Sequence, residues 1–289
     1  MHDMPEAGRC LNCSAPLHGQ FCGDCGQRAV PPDPTVRELA GDAWNELTGY
    51  DGRVMATLRG LKRPGFLTQE YLRGRRRNYL APVRVYLFVS VIYFLISAAA
   101  PDIGDDRQVG NIGGPGNMRI GITGTDKDNG RITEEDRKEL LAELDTAPWY
   151  LQPMMKSVLE DPDGLRARLF TIMPRVFFAL VPVFAGIVYL FYRRHHFPTA
   201  LVFALHVHVF AFVVFSVPEA MKFTYNEILG GVVSLIALVV FVVYTLRSFR
   251  TVFGGSWPIT LLKTTSIAFL YSIASIPAFI VIVLWAAYT

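Results

Sequence analysis

The chain has 289 residues, of which 51% are hydrophobic and only 18% charged, with 20 Phe and a formal net charge of +3. That balance is more apolar than a soluble domain of this length carries, which excludes an ordinary soluble globular protein as the whole answer. All four cysteines lie near the N-terminus, and the apolar residues concentrate in long runs after residue 82.

Cys10-Leu-Asn-Cys13 and Cys22-Gly-Asp-Cys25 are separated by eight residues, Ser14 to Phe21. Each CxxC brings two thiolates to one ion, and two such pairs complete the tetrahedral four-sulfur shell of a structural zinc site. Gly26, directly after Cys25, allows a tight turn, while Pro16 and Gly19 let the connection fold back. Residues 1–30 are therefore predicted to form a four-cysteine zinc ribbon liganded by Cys10, Cys13, Cys22 and Cys25. A disulfide pair is the rival reading, but residues 1–30 show no signal-peptide pattern and a basic flank argues for a cytosolic, reducing compartment. A redox CxxC expects a βαβ context that does not follow. His18 reads as a turn residue, because four thiolates already satisfy the ion. Metal supplies much of the folding free energy of so small a head, about 10–16 kcal/mol in comparable zinc peptides.

Residues 31–82 read as a juxtamembrane region. After the Pro31-Pro32-Asp33-Pro34 stop, Val36, Leu39, Ala40, Ala43, Trp44 and Leu47 recur at helical spacing, which predicts an amphipathic helix over about residues 35–49. From Arg53 to Arg84 nine basic residues face one acid, Glu70. Arg73, Arg75, Arg76 and Arg77 are the densest group and are expected to attract anionic lipid headgroups, at about 1 kcal/mol per charge near the surface. A plain positive-inside flank explains the same charge without a specific ligand. Nucleic acid is disfavoured, since Phe66, Tyr71 and Tyr79 lead straight towards an apolar span.

Residues 83–289 are predicted to form an all-α transmembrane domain with five spans, at about 83–100, 169–192, 197–217, 228–246 and 264–287. Basic residues set the expected orientation. Five lie in Leu67 to Arg84, two in Arg193 to His196 and three in Arg247 to Lys263, ten in all, against six on the other side (Arg107, Lys156, Arg166, Arg168, Arg175 and Lys222). The ten-residue side is expected to be cytoplasmic, with the N-terminus inside and the C-terminus outside. The exterior loop, 101–168, opens with a Gly- and Asp-rich third whose Gly110 to Gly116 run lacks the Gly-Lys-Ser/Thr of a phosphate loop. Helices are expected from Thr133, with Asp136 completing a capping box, and around Trp149 to Leu159. Their apolar stripes expect cover from each other, the bilayer surface or a second subunit.

His206 and His208 fall about halfway along the third predicted span, where an ionisable residue is a functional hypothesis by default. His195, eleven residues before His206 and close to three helical turns away, shares a face with it at a rise of about 16 Å, while His206 and His208 diverge by about 200° around the axis. Neither relation permits chelation by this helix alone. The structural reading gives each histidine a hydrogen-bond partner on a facing helix; the functional readings are a proton path, a metal or a haem ligand.

Phe21-Cys22-Gly23-Asp24-Cys25-Gly26-Gln27, Arg63-Pro64-Gly65 with Glu70-Tyr71-Leu72-Arg73-Gly74-Arg75-Arg76-Arg77-Asn78-Tyr79 and Pro82, and Phe203-Ala204-Leu205-His206-Val207-His208 together resemble a widespread bacterial family known only as a domain of unknown function. The resemblance implies a zinc-ribbon-headed, multi-pass inner-membrane protein and no particular activity. Three function classes follow: an interaction, sensing or scaffold module organised by the ribbon, with a protein partner there and a homo-oligomer as options; a transporter or channel lined by the mid-membrane histidines; and an intramembrane enzyme, for which no nucleophile and base pair is visible. The first is favoured, because a closed zinc shell leaves no open position and the predicted spans show no inverted repeat or acidic residue.

Overall fold

The computed structural model describes residues 9–29, 53–100, 152, 156–157, 162–224 and 226–288. The amphipathic helix expected over 35–49 and most of the loop over 101–168 with its two helices lie outside these residues. Seven α-helices are described: α1 (Arg53–Leu61), α2 (Phe66–Leu72), α3 (Pro82–Ala99), α4 (Pro162–Phe191), α5 (Phe197–Met221), α6 (Glu227–Phe253) and α7 (Trp257–Tyr288), with a 3₁₀ turn at Lys222–Thr224 after α5. No strand is present among the described residues, only isolated bridges in the head.

Five of these helices are long and apolar enough to cross a membrane, so the fold is an all-α multi-pass one with a cysteine cluster at its N-terminal end. At about 1.5 Å per residue, the 27 residues of α6 and the 32 of α7 exceed the roughly 30 Å of hydrocarbon core. The helices therefore run past the apolar windows read from sequence. α6 continues through Arg247 and Arg250 to Phe253, α7 already starts at Trp257, and only Gly254, Gly255 and Ser256 connect them. Left-handed glycines end α6: Gly254 (φ 71) returns its amide to the Arg250 carbonyl at 2.9 Å, and Gly255 follows at φ 102. At the other end Asn226 caps α6, its Oδ1 accepting the Leu229 amide at 3.0 Å.

The chain divides into two compact units, one of Met1–Ile92, Val181–Phe215 and Ile236–Tyr271, the other of Tyr93–Leu180, Ser216–Leu235 and Ser272–Thr289. In the first, Phe203 packs between Phe249 and Phe253, with ring centroids at 4.6 and 5.1 Å, and Tyr86 meets Phe212 at 5.7 Å. In the second, Leu165 and Leu169 of α4 pack on Ile282 and Ala286 of α7. There Arg168 Nε donates to the Ala286 carbonyl at 2.8 Å, satisfying a free acceptor in the last turn of α7.

α5 is the most enclosed of the five, 56% of its apolar window being buried against 11% for α7. On α6 and α7 large apolar side chains such as Ile228, Leu235, Leu262 and Phe269 face outward, the surface that hydrocarbon covers. The helix carrying both mid-span histidines is thus the one surrounded by protein. α5 also includes Glu219, beyond the 197–217 window, so the spans are not free of acids as their sequence windows suggested. Glu219 is buried and accepts from Lys222 Nζ at 2.7 Å, one helical turn away.

Candidate metal centre

The two knuckles are built alike. In the first, the Cys10 amide donates to the Ala15 carbonyl at 2.7 Å and the Cys10 carbonyl accepts the Ser14 amide at 2.8 Å. In the second, the Cys22 amide donates to the Gln27 carbonyl at 2.8 Å and the Cys22 carbonyl accepts the Gly26 amide at 2.9 Å. Each turn ends on a left-handed residue, Ser14 at φ 65 and Gly26 at φ 68. The glycine adopts this conformation freely, whereas serine holds it against a steric cost.

These turns gather the four sulfurs within 4.8 Å of one another, with Cys10 to Cys25 and Cys13 to Cys22 both at 3.5 Å. Zinc–sulfur bonds of about 2.3 Å in a tetrahedron place the sulfurs about 3.8 Å apart, so the cluster fits one ion. No disulfide joins the four cysteines, and Cys10 and Cys22 are buried while Cys13 is exposed. Crowding separates the acidities of the outer pair. A backbone hydrogen bond from Ala15 favours the Cys13 thiolate, but desolvation and the neighbouring sulfurs outweigh it and push the thiol up to about 12. Cys25 is desolvated too, yet hydrogen bonds from the Gln27 backbone, Cys10, Cys13 and Asn12 lower it to about 7. A dication would favour thiolate at every position.

The head does not hang on a free tether. Gln27, two residues beyond Cys25, is buried and clamps the loop after α2. Its Nε2 donates to the Gly74 carbonyl at 2.5 Å, and its Oε1 accepts the Arg76 and Arg77 amides at 3.1 and 3.2 Å. The other knuckle seats beside it: Asn12 Nδ2 donates to Asn78 Oδ1 at 3.1 Å, and Leu11 lies over Gly74 so closely that a Cβ there would come within 2.6 Å. Gly74 also stands at φ 80, so both its backbone and its missing side chain serve the docking. Sequence reading missed Gln27, because the signal is a partner 47 positions away rather than a local pattern.

This loop contains the arginines expected to meet lipid. Arg73 and Arg75 pair with the buried Glu70 at 3.1 Å each while about half of each side chain remains exposed. The Arg76 guanidinium lies 4.7 Å from the centre of the Tyr71 ring. Thus the only acid among nine bases is a buried anchor for the basic loop. Proximity to Glu70 and burial raise the Tyr79 phenol, with desolvation the larger cause.

α2 links the seat of the head to the histidine helix. Thr68, fully buried, shares a 2.9 Å hydrogen bond with His206 Nδ1, and Tyr71 packs on Val202 of α5. His208 finds different partners. A carbonyl only accepts, so His208 Nδ1 donates to Ala204 at 2.8 Å, and its Nε2 accepts from the Tyr271 hydroxyl at 3.1 Å. The two rings thus belong to separate surroundings. His195 lies in neither: it sits in the turn between α4 and α5, before α5 begins at Phe197, so the shared helical face inferred from its spacing to His206 does not exist. Its ring packs edge-on against Phe253 with centroids 5.1 Å apart.

Fold and site together define a multi-pass membrane protein with a four-thiol, metal-competent head docked on its juxtamembrane segment. A family described as protein of unknown function (DUF3667) matches residues 51–94, the stretch from α1 through the docking loop into α3. It includes the middle of the three motif groups that carry the resemblance seen in the sequence; the cysteine and histidine groups lie outside it. No curated protein and no solved structure matches the chain.

Proposed function

We propose that the protein is a zinc-ribbon interaction or sensing module of a bacterial inner membrane, in which one zinc ion on Cys10, Cys13, Cys22 and Cys25 keeps the head docked on the juxtamembrane segment. The observation that carries this reading is the Gln27 clamp, which ties the second knuckle to the backbone of residues 74–77. Through α2 that link reaches His206. Loss of metal then loosens the loop and the seat of α2, a change a partner at the ribbon can read or impose. Phe21, 62% exposed on the head, is an apolar group available to such a partner.

Partner placement supports a structural role for the intramembrane histidines: both are engaged within the protein, on different sides and with different elements. A transport path expects convergent, hydrated groups instead. The half-exposed Arg73 and Arg75 favour anionic lipid as the surface beneath the docked head, which sits on the cytoplasmic side in this reading. The test is hydrogen exchange on the full chain in nanodiscs, with and without a zinc chelator. Faster exchange in residues 66–77 on chelation is the expected result; unchanged exchange there, with the metal demonstrably gone, overturns the coupling.

A further inference from the structure

A second feature, remote from the metal centre in its chemistry, is a cavity of about 540 Å³ walled by the end of α4, the turn after it, the glycine connection and the first turns of α7. Arg193, Arg194, His195 and Lys263 line it, and among the described residues no acidic side chain does. Lys263 Nζ donates to the Phe191 carbonyl at 3.0 Å and lies 4.4 Å from the centre of the Tyr192 ring, and among the described residues no carboxylate pairs with it. The first turns of α7 border the same space through Ile259, Thr260 and Lys263.

We propose that this cavity binds a phosphate ester, its phosphate held by Arg193, Arg194 and Lys263 and its organic part lying against the apolar wall at Leu190 and Ile259. A volume of 540 Å³ is too large for a bare anion and within the range of organic ligand sites. Arginine forks bind phosphate bidentately, and three cations without an acid favour a dianionic or diester group over a neutral one. The source is a soluble phosphate ester or the headgroup of an anionic lipid, both of which present the same oxygens.

The test uses the full chain in zwitterionic nanodiscs titrated with glycerol phosphate, and in nanodiscs containing phosphatidylglycerol, with thermal stabilisation as the readout. Stabilisation in the first arm identifies a soluble ester; stabilisation in the second arm alone identifies the headgroup. In either case Arg193→Gln/Arg194→Gln is expected to weaken binding by about tenfold or more. The charge-matched Arg59→Gln/Lys62→Gln, on the exposed face of α1 and the turn after it, is expected to bind as the parent does. No stabilisation in either arm, or equal loss in the cavity variant and the charge control, overturns the proposal.

Discussion

Gln27 Nε2 reaches the Gly74 carbonyl at 2.5 Å while the oxygen of the same carboxamide accepts the Arg76 and Arg77 amides. A carboxamide can do both because it carries a donor and an acceptor on one planar group. Gln27→Ala strands three backbone groups of the loop, and Gln27→Glu keeps the acceptor but loses the donor. We expect Gln27→Ala to undock the head at a cost of about 1–3 kcal/mol, with the metal retained. Amide exchange at Arg76 and Arg77 together with a zinc assay checks this; protection that survives the substitution would show that Asn12 and Leu11 suffice to hold the head.

The two left-handed residues after Cys13 and Cys25 give opposite expectations. Ser14→Gly relieves a strained backbone and should stabilise the metal-loaded head, while Gly26→Ala introduces the same strain at φ 68 and should destabilise it by about 1–2 kcal/mol. Competition for zinc against a chelator of known affinity reads both effects. Equal affinities for the parent and both variants would mean that the knuckle turns relax without cost.

Zinc content follows from the sulfur geometry. Full-length protein should contain about one zinc per chain, and Cys22→Ser, which removes a buried ligand, should lose it. Elemental analysis with thiol counting distinguishes this from a disulfide-bonded head, in which the metal would be absent and two bonds present.

The cysteines, the five apolar helices and the histidine positions were legible in the sequence, because spacing and hydropathy are local properties. What could not be read depends on contacts between distant positions. Glu70 looked like a lone acid in a basic run, yet its burial against Arg73 and Arg75 shapes the docking loop. Arg247 and Arg250 looked like loop residues because charge ends an apolar window, whereas the α6 backbone continues past them until Gly254. His195 was set on the histidine helix by counting residues, but Phe197-Pro198 begins that helix, and proline is favoured in a first turn, where a missing amide costs nothing.

If all five candidate spans cross, the two termini lie in opposite compartments. With ten basic residues near span ends on one side against six on the other, the N-terminal head should be cytoplasmic and the C-terminus exterior. Reporter fusions after Arg194 and after Thr289 should therefore give opposite signals. Cytoplasmic signals from both would remove one crossing, and α4, with Arg175 exposed along its first half, would be the helix to re-examine.

Thr68 and His206 form the bond that joins α2 to the buried face of α5, and their substitution separates a structural histidine from a functional one. His206→Gln keeps a donor and an acceptor, so a structural role predicts near-normal melting and an unchanged cellular phenotype. His206→Leu strands the buried Thr68 hydroxyl and should cost about 1–3 kcal/mol. Thr68→Val should cost a comparable amount, and the double variant less than the sum, with a coupling of about 0.5–3 kcal/mol between residues in direct contact. His208→Gln should behave like His206→Gln, since its ring also serves two neighbours, Ala204 and Tyr271. The decisive outcome is a His206→Gln protein that melts as the parent does but has lost its phenotype: the imidazole would then do chemistry that an amide cannot, and a transport or redox path would replace the docked module as the function.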